Sequence, residues 1–388
     1  MTGTDNTHHI VVIGGGYAGA LAANHVRLRD DVDVTLVNPR PTFVERIRLH
    51  QHVAGNYDAT IGYDTLLGSH VRLVVDTATR IDAAARVVEL ASGDTLDYDY
   101  LIYAVGSTGT VPTSVPGAAE FAYPLAEFEQ AQRLQQRLAD APLSAPVVVI
   151  GAGLTGIEAA AEFAEAGRHV TLIGDRLGPS LGERARRSVA KRLATLGVTV
   201  VQGRVSGITA DRVLLPNRAS IPSAVTVWTA GFGVPQLAAA SGLQTDALGR
   251  LRTDDTLTSL DDSRIVATGD AAAPAGGPLR MSCQAAGPLA LTAAKTVISR
   301  IAGSTAAPVD QAFVGSCISL GRGGATIQIA HKDDSPTNYY VGGRIAATLK
   351  EAICKGTVSG IRRAARKPGS AIVLKGGTAA AHQERVGA

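Results

Sequence analysis

Cysteine is scarce in this 388-residue chain, and its spacing argues against two common ways of stabilising a fold. The three cysteines, Cys283, Cys317 and Cys354, lie far apart, without a Cys-x-x-Cys pair or a His/Cys cluster. Such spacing predicts neither a disulfide framework nor a structural zinc site. It fits a protein of the reducing cytoplasm, and we expect no bound metal.

Long hydrophobic runs and an excess of one charge are also missing. No apolar stretch approaches the roughly 18 residues of a transmembrane helix, and residues 1–9 are polar, unlike a signal peptide. The 37 basic and 34 acidic residues give a net charge of +3, which does not favour a nucleic-acid partner. Hydrophobic residues make up 45% of the chain, enough for packed cores in two or three domains.

Glycine is abundant, at 43 residues, and two glycine-rich segments repeat one pattern. Residues 10–19 and 147–156 each begin as a short β-branched apolar run, continue through glycines and enter an alanine-rich stretch with helical spacing. Strand-like runs follow at residues 32–37 and 169–173. Each copy therefore predicts a strand–turn–helix–strand unit with a parallel, right-handed crossover.

Each copy carries three glycines at the spacing Gly-x-Gly-x-x-Gly, and each glycine has a physical reason. The first permits a tight turn out of the strand, the second lets the backbone approach a pyrophosphate, and the third lets the helix pack close to the strand. The helix N-terminus then offers N–H groups and a positive dipole end to phosphates. One copy alone also fits a turn without a ligand, whereas two copies indicate two dinucleotide sites. The glycines are Gly14, Gly16 and Gly19 in the first copy and Gly151, Gly153 and Gly156 in the second.

Three further strand-like runs end in glycine, and the last glycine is followed by an aspartate. A carboxylate at the carboxyl end of a strand can accept hydrogen bonds from sugar or ribitol hydroxyls. Taken alone, a Gly-Asp pair also fits an ordinary turn. The runs are residues 100–106, ending in Gly106, residues 225–231, ending in Gly231, and residues 264–270, ending in Gly269 and Asp270.

The order of these five elements resembles that of the flavoproteins of the pyridine nucleotide–disulfide oxidoreductase superfamily, over about residues 8–305. The resemblance implies an α/β fold of two doubly wound Rossmann-like dinucleotide-binding domains, with the NAD(P)H domain inserted in the FAD domain, plus a small C-terminal α+β region. It implies that the first glycine turn, with Tyr17 and Ala18, cradles the pyrophosphate of FAD. Asp270 would hold the ribitol of the flavin, and the second turn would bind NADH or NADPH.

A subgroup of that superfamily fits better than its disulfide branches, because no cysteine precedes position 283. Residues 38–55 look like those of type II NADH:quinone oxidoreductases and of flavoproteins similar to apoptosis-inducing factor and the ferroptosis suppressor. Residues 155–158 are similar to the Thr-Gly-Val-Glu of that group, which implies that the carboxylate of Glu158 lies near the nicotinamide. Residues 283–286 resemble its Ala-Gln-x-Ala stretch, which implies that Gln284 lies near the flavin ring and the quinone site.

The chain also departs from that pattern. The second glutamine of the stretch falls at about Pro288, so this part of the quinone site departs from the pattern of the subgroup. The FAD ribose position, usually acidic, is Asn38, whose amide can still bond hydroxyls. In the second copy, aligning the strands puts Gly174 at this position, whereas counting from the first glycine puts Asp175 there. Asp175 would favour NADH, and the next residue, Arg176, could accept the 2′-phosphate of NADPH.

A polar stretch follows the first unit, with Arg46, Arg48, His50 and His52 in the loop and helix expected beside FAD. These residues would stabilise negative charge on the flavin or contact the acceptor, or else form a solvated helix face. The candidate catalytic residues are Glu158 and Gln284. The candidate cofactor-binding residues are Gly14, Gly16, Tyr17, Ala18, Gly19, Asn38, Arg40, Arg48, Gly106, Gly151, Gly153, Gly156, Asp175, Gly231, Gly269, Asp270 and Gln284.

The predicted domain map has four parts. Residues 1–112 and 258–312 form the FAD domain, within which residues 71–97 form a small antiparallel meander. Residues 113–257 form the NAD(P)H domain, residues 313–375 form a C-terminal interface or membrane-proximal region, and residues 376–388 form a loose tail.

The C-terminal region is strongly basic. Residues 344–375 hold eight basic residues and one acid, a net charge of +7, and residues 343–366 are expected to be helical with breaks at Gly356 and Gly360. Such a helix can lie on an anionic membrane, as the C-terminal region does in the quinone reductases that the chain resembles. It lacks the Trp and Phe that anchor such helices. The alternative is a solvated helix that packs on the FAD domain or on a second subunit of a homodimer.

The function that follows from the resemblance is electron transfer from NAD(P)H through FAD to an acceptor, with a quinone expected. The alternatives are a soluble reductase of an electron-carrier protein or of a biosynthetic pathway, and a redox-sensing flavoprotein with slow turnover. The enzyme would be cytoplasmic, either free or peripheral on the cytoplasmic face of the membrane.

Overall fold

The computed structural model describes residues 7–216, 218–277, 279–371 and 376. The strands, in chain order, are β1 (His8–Ile13), β2 (Val32–Asn38), β3 (Thr42–Val44), β4 (Thr60–Gly62), β5 (Val71–Val75), β6 (Ala78–Asp82), β7 (Val87–Leu90), β8 (Thr95–Asp97), β9 (Tyr100–Tyr103), β10 (Thr108–Gly109), β11 (Ala122–Pro124), β12 (Val147–Ile150), β13 (Val170–Gly174), β14 (Thr199–Gln202), β15 (Gly207–Ile208), β16 (Arg212–Leu214), β17 (Ser220–Pro222), β18 (Val225–Trp228), β19 (Phe232–Gly233), β20 (Leu251–Thr253), β21 (Ile265–Ala267), β22 (Ala272–Pro274), β23 (Gly315–Ser319), β24 (Ala325–Ala330) and β25 (Pro336–Gly342).

The helices lie between these strands. They are α1 (Tyr17–Val26), α2 (Leu49–Val53), α3 (Ala118–Phe121), α4 (Phe128–Asp140), α5 (Leu154–Glu165), α6 (Glu183–Thr195), α7 (Leu237–Ala240), α8 (Cys283–Ile301) and α9 (Gly343–Arg366). Short 3-10 turns cover Arg46–Arg48, Tyr63–Thr65 and Gly269–Ala271. Within the described ranges, no helix is both long and apolar enough to cross a bilayer.

Two five-stranded parallel sheets form the framework. The first has the order β5-β2-β1-β9-β21 and the second the order β14-β13-β12-β18-β11. The strands β1 and β12 lie at the centres of the sheets, and their buried residues form continuous apolar runs because both faces of the sheet are covered. The predicted α/β fold with two Rossmann-like sheets is confirmed.

The small meander differs from the prediction. β5 pairs in parallel with β2 and extends the first sheet, with Val34 opposite Val71. The antiparallel meander consists of β6, β7 and β8 instead. β5 joins the sheet because the open edge of β2 offers a full ladder of hydrogen-bonding groups at the end of the strand–helix–strand unit.

The segment in which the chain leaves the first sheet lies beside the segment in which it returns. β10, just after β9, pairs with β19, which follows the last strand of the second sheet. Beyond β19, the side chains of Leu237, Ala238, Leu243 and Leu251 pack in the core of the first sheet. This packing puts the return crossing at β19, before the boundary predicted at residues 257–258.

The C-terminal region is an antiparallel sheet, β23-β24-β25, followed by α9. α9 is continuous from Gly343 to Arg366, so the breaks predicted at Gly356 and Gly360 do not occur. Its inner face packs against α1 and β24, which stabilises the helix across both glycines. The tail predicted for residues 376–388 lies outside the described residues, apart from Gly376.

Candidate functional site

A cavity of about 950 Å³ lies at the carboxyl ends of the strands of the first sheet. The segments that follow β1, β2, β9 and β21 all line it, together with the start of α8. Ligands of open parallel sheets bind at this edge, and the volume is near the upper end of the roughly 300–1,000 Å³ of typical ligand pockets.

The first glycine turn has the geometry that its spacing predicts. Gly14 has a φ of +102°, and an added Cβ would lie 2.3 Å from the carbonyl oxygen of Ala104. A Cβ on Gly19 would lie 1.7 Å from the oxygen of Gly14, so only glycine lets α1 pack this close. At Gly16, by contrast, no atom of the described residues lies within 4 Å of an added Cβ. The open side of this turn faces the cavity, which Gly16 lines.

The start of α1 presents backbone N–H groups to the same cavity. Tyr17 and Ala18 line it, and Gly16 caps the helix without a side-chain hydrogen bond among the described residues. Unpaired N–H groups and the helix dipole attract an anionic group at this point. The hydroxyl of Tyr17 is buried without a hydrogen-bond partner in the described ranges, and burial raises its pKa. A buried unpaired hydroxyl at a cavity wall is a position where a ligand completes the hydrogen bonding.

Asn38 shapes the turn from the end of β2. Its Oδ1 accepts from the N–H of Gly15 at 2.9 Å, and its Nδ2 donates to the carbonyl of Arg40 at 2.8 Å. The guanidinium of Arg40 binds Glu129 at the start of α4, with Nε 2.6 Å from Oε1, and the hydrogen bond from Arg40 lowers the pKa of Glu129. Asn38 and Arg40 both line the cavity, and the contact between Arg40 and Glu129 joins the two domains.

Asp270 joins three segments on the opposite wall. It lies in the turn after β21, and its Oδ2 accepts from the hydroxyl of Ser107 at 2.6 Å. Its Oδ1 accepts from the N–H of Ser282 at 3.1 Å, just before α8. Gly269 has a φ of +68°, and an added Cβ would lie 3.0 Å from Cβ of Ala18. Gly106, with a φ of +72°, also lines this wall.

The residues present fit FAD. An open glycine turn at an uncapped helix start suits a pyrophosphate, an acid in the turn after the last strand suits ribitol hydroxyls, and the cavity volume suits a dinucleotide.

The second glycine turn repeats the first. Gly151 has a φ of +112°, and an added Cβ on Gly156 would lie 1.7 Å from its oxygen. Around Gly153, the described residues leave at least 4 Å clear of an added Cβ. Gly231, with a φ of +82°, follows β18 close to this turn, and Asp175 follows β13. The first residues of α5, Leu154 and Thr155, line the same cavity as the first turn.

Glu158, the carboxylate expected near the nicotinamide, lies in a buried charged cluster at the cavity wall. It forms an ion pair with Lys350 of α9, and its Oε1 accepts from the N–H of Ser319 at 2.8 Å. Its Oε2 lies 3.8 Å from Nδ1 of His50. Burial opposes the charge, but the ammonium of Lys350 holds the pKa of Glu158 below its usual range. Burial lowers the pKa of His50 to about 4, so its ring is neutral at pH 7.

Lys350 is a candidate site residue that the sequence motifs do not point to. It belongs to the basic segment of residues 344–375, yet it is buried and lines the cavity. Burial opposes its charge, while Glu158 raises its pKa. A signal was present, since Lys350 lies four residues after Ala346 and four before Cys354, on the apolar stripe of α9.

Arg48 occupies a different place from the one expected of a flavin ligand. Its side chain is 1% exposed, and its two terminal nitrogens donate to Glu351 of α9 at 3.0 Å. Its guanidinium also lies over the ring of Tyr57, 4.3 Å from the centroid. Arg46, two residues earlier in the 3-10 turn, lines the cavity instead and donates to the carbonyl of Ser107 at 2.7 Å.

Gln284 also serves the packing of the C-terminal region. With the amide oriented to satisfy both of its atoms, it donates to the carbonyl of Gly315 at 2.9 Å and accepts from the N–H of Val314 at 3.1 Å. Its neighbour Cys283 lines the cavity, whereas Gln284 is not among the lining residues. Pro288 lies inside α8.

The three cysteines, far apart in sequence, all line this cavity. Burial raises the pKa of Cys283 to about 12 and that of Cys354 to about 11, and it raises the pKa of Cys317 as well. Thiols with such pKa values stay protonated at pH 7, and the thiolate is the nucleophile. We therefore expect the chemistry at this cavity to need no cysteine.

Comparisons with known proteins agree with this geometry. The model of the pyridine nucleotide-disulphide oxidoreductase family matches residues 8–295. An NADH dehydrogenase-like protein of Mycobacterium tuberculosis is 33% identical over 321 residues, covering 75% of this chain and 80% of that protein. A type II NADH:quinone oxidoreductase of Haemophilus influenzae is 26% identical, covering 68% of this chain and 73% of that protein.

Solved structures show the same fold. The sulfide:quinone oxidoreductase of Aquifex aeolicus superposes with a TM-score of 0.79 at 21% identity, covering 94% of this chain and 93% of that one. The NDH2 of Plasmodium falciparum, in complex with NADH, superposes with a TM-score of 0.75 at 14% identity, covering 95% and 100%.

The prediction of an FAD-dependent oxidoreductase that uses NADH or NADPH is confirmed by these matches. The chain belongs to the pyridine nucleotide-disulphide oxidoreductase family.

Proposed function

We propose that this chain oxidises NADH or NADPH through FAD and delivers the electrons to a quinone. The observation that carries the proposal is one cavity lined by the first glycine turn, by Glu158 with Lys350, and by Ile353 of α9. Ile353 belongs to the outer face of α9 and is 47% exposed. A cofactor site, a charged pair and an apolar entrance therefore meet in one space.

The FAD domain supplies binding and orientation. FAD, when bound, takes up a hydride from the nicotinamide and passes electrons to the acceptor. The N–H groups of Tyr17 and Ala18 would bind its pyrophosphate, and Asp270 would accept from ribitol hydroxyls. The side chain of Asn38 fixes the glycine turn by accepting from the N–H of Gly15. Its role is therefore to hold the phosphate-binding backbone as well as to face the adenosine part of FAD.

The second domain holds the nicotinamide cofactor by the same physics. The glycine turn and the uncapped start of α5 would bind its pyrophosphate, and Gly231, with a positive φ, ends the segment that follows β18. Asp175 accepts from the adenosine ribose. Because Leu154 and Thr155 line the FAD cavity, a nucleotide on α5 lies next to the flavin site.

The Glu158–Lys350 pair serves the acceptor end of the cavity. Reduction of a quinone adds two electrons and two protons, and negative charge develops on its carbonyl oxygens. A buried ammonium stabilises such an oxygen strongly, because little water screens it. Glu158 keeps Lys350 charged in this buried position. Gln284 positions the start of α8 by joining it to the segment before β23.

The outer face of α9 offers a route for a lipid-soluble acceptor. Ile345, Leu349 and Ile353 are spaced four residues apart and are 70%, 46% and 47% exposed. Tyr339 on β25, the strand that precedes α9, is 73% exposed and would supply the aromatic anchor that residues 344–375 lack. Exposed basic residues flank this stripe, among them Arg344 and Lys355. We place the stripe on the cytoplasmic surface of a membrane, with weak attachment.

The inner face of α9 does the structural work that the alternative interpretation assigned to the whole helix. Val358, Ile361 and Ala364 pack in the core of the first sheet, and Lys350 and Glu351 pair with residues of the body. One helix thus combines a packed inner face with an apolar outer face. A second subunit that covers the outer stripe is the competing occupant.

The proposal is tested by following the flavin spectrum of the purified protein without oxygen. Addition of NADH or NADPH bleaches the oxidised flavin band, and subsequent addition of menadione restores it within the turnover time. A flavin band that is not bleached by either nucleotide would contradict the assignment of donor. Restoration by an iron–sulfur carrier but not by quinones would contradict the assignment of acceptor.

A further inference from the structure

The two glycine turns are equivalent strand by strand. In each, the first glycine donates its N–H to the neighbouring strand at 2.8 Å, to the carbonyl of Val37 in the first turn and of Ile173 in the second. The next residue in each strand is Asn38 and Gly174, respectively. Gly174, and not Asp175, therefore occupies the position from which Rossmann folds place an acid against the adenosine ribose.

No side chain fits at Gly174. An added Cβ would lie 2.6 Å from Cβ of Ala152 and 2.7 Å from its backbone nitrogen. An acid at this position bonds both ribose hydroxyls and repels a 2′-phosphate, and so selects NADH. The glycine removes that selection, because neither the hydrogen bonds nor the charge can be placed at the strand end.

Positively charged side chains lie just beyond Gly174. The N–H of Gly203 donates to the carbonyl of Gly174 at 3.1 Å, and this contact sets Arg204 beside Asp175. Nε of Arg204 lies 2.8 Å from Oδ2 of Asp175, and the two side chains are 80% and 57% exposed. Arg176, the next residue along the chain, is also exposed. Two guanidinium groups and one carboxylate leave a net charge of +1 at this corner.

This arrangement suits a phosphate. A phosphate monoester carries roughly −1.5 to −2 charges at neutral pH, and the planar guanidinium binds its oxygens in pairs. An exposed Arg–Asp pair is weak, so Arg204 exchanges Asp175 for a phosphate at little cost. A carboxylate accepts at two oxygens, so Asp175 can hold Arg204 and still accept from a ribose hydroxyl when no phosphate is present.

We infer that the second domain accepts NADPH as well as NADH, and that Arg204, with Arg176, binds the 2′-phosphate. Asp175 is then the ribose ligand for NADH and a competitor of the phosphate for Arg204. The inference rests on the proposed function, which assigns the second glycine turn to the nicotinamide cofactor.

The test is a calorimetric titration of the flavin-loaded protein with 2′,5′-ADP (adenosine 2′,5′-bisphosphate) and with 5′-AMP, which differ only in the 2′-phosphate. The wild type should bind 2′,5′-ADP more tightly than 5′-AMP. Arg204→Ala should lower the affinity for 2′,5′-ADP by roughly 10- to 150-fold, which corresponds to the loss of a charge-assisted hydrogen bond. Asp175→Ala binds 2′,5′-ADP more tightly and 5′-AMP more weakly than the wild type does. The ratio of kcat/KM for NADPH to that for NADH changes in the same directions.

Arg212→Ala is the matched control. Arg212 is an exposed arginine of the same domain, 3.6 Å from Asp211, and its removal leaves both affinities unchanged. Equal affinity of the wild type for the two nucleotides, with NADH still bleaching the flavin, would overturn the inference and leave the proposed function standing. Binding of neither nucleotide, with NADH failing to bleach the flavin, would overturn both.

Discussion

Lys350 and Glu158 lie 192 residues apart in the chain, yet they form a buried ion pair that joins α9 to α5. The carboxylate belongs to the helix that follows the second glycine turn, and the ammonium belongs to the C-terminal helix. Both line the cavity that holds the first glycine turn. The C-terminal region therefore completes the site, in addition to covering the FAD domain.

Replacing Lys350 by methionine tests this relationship. Lys350→Met keeps the length of the side chain but leaves Glu158 buried without its partner. Breaking a buried pair in this way costs about 3–5 kcal/mol of unfolding free energy. The rate of quinone reduction should fall as well, because the acceptor loses the ammonium. Denaturant titration and steady-state kinetics measure the two effects.

The double variant Lys350→Met, Glu158→Gln separates stability from chemistry. Removing both charges restores much of the unfolding free energy, since no unpaired charge remains buried. Quinone reduction should stay slow in the double variant. Full recovery of the rate together with the stability would show that the pair acts only on the packing.

Acid should destabilise the protein before its exposed carboxylates are protonated. Burial lowers the pKa of His50 to about 4 and that of His25 to about 4. Between that value and the unfolded pKa of about 6.5, the unfolded chain binds more protons, so stability falls as the pH falls. Each histidine contributes on the order of 3 kcal/mol.

Glu158 adds to the loss at the acid end of this range. Its pKa is below the unfolded value, so its contribution is present above that value and is lost as the pH falls through the folded one. Unfolding free energies of wild type, His50→Gln and His25→Gln between pH 7 and pH 4 measure these shares. A slope against pH that neither substitution reduces would contradict this account.

The second glycine of each turn should separate the two cofactors. Among the described residues, nothing lies within 4 Å of an added Cβ at Gly16 or at Gly153, so alanine at either position leaves the fold intact. Gly16→Ala puts a methyl group against the FAD pyrophosphate and should yield a colourless protein. Gly153→Ala should retain FAD and raise the KM for NAD(P)H.

Absorbance of the purified variants and titration with NADH distinguish these outcomes. Gly356→Ala is the control, since it adds a methyl group on α9 without a neighbour within 4 Å in the described part of the chain. Loss of flavin from Gly153→Ala, with nicotinamide binding intact, would reverse the assignment of the two turns.

The contrast between the glycine turns and Lys350 explains what the sequence can predict. The conformation of Gly14 and the close packing at Gly19 depend on a few neighbouring residues, and the structure shows both. Lys350 and Arg48 find their partners through packing between segments that are hundreds of residues apart, and no local spacing encodes that contact. The sequence alone also leaves open whether Gly174 or Asp175 occupies the ribose position, because the answer depends on the register between β12 and β13.

The apolar stripe of α9 predicts membrane attachment. Ile345→Asp with Leu349→Asp puts charge on the stripe without touching the inner face, and should abolish flotation with anionic vesicles. Binding of the wild type should weaken with salt, because the attraction to the exposed basic residues is screened within a Debye length. Leu143→Asp, at a 60% exposed leucine elsewhere on the surface, is the control.

The oligomeric state of the same variants identifies the alternative. If the stripe is a subunit interface, the double aspartate variant changes from dimer to monomer in sedimentation, and vesicle binding is absent from wild type as well. Sedimentation of an unchanged monomer, with vesicle binding lost, supports the membrane contact.

The central claim, that one cavity passes electrons from NAD(P)H through FAD to a quinone, is tested most directly by double-mixing stopped flow. The flavin is first reduced by one equivalent of NADH without oxygen, and a quinone is then added while the flavin absorbance is recorded. Our account predicts that the flavin is reoxidised at least as fast as steady-state turnover. A reduced flavin that persists with bound NAD⁺ for many turnover times after quinone addition would contradict it.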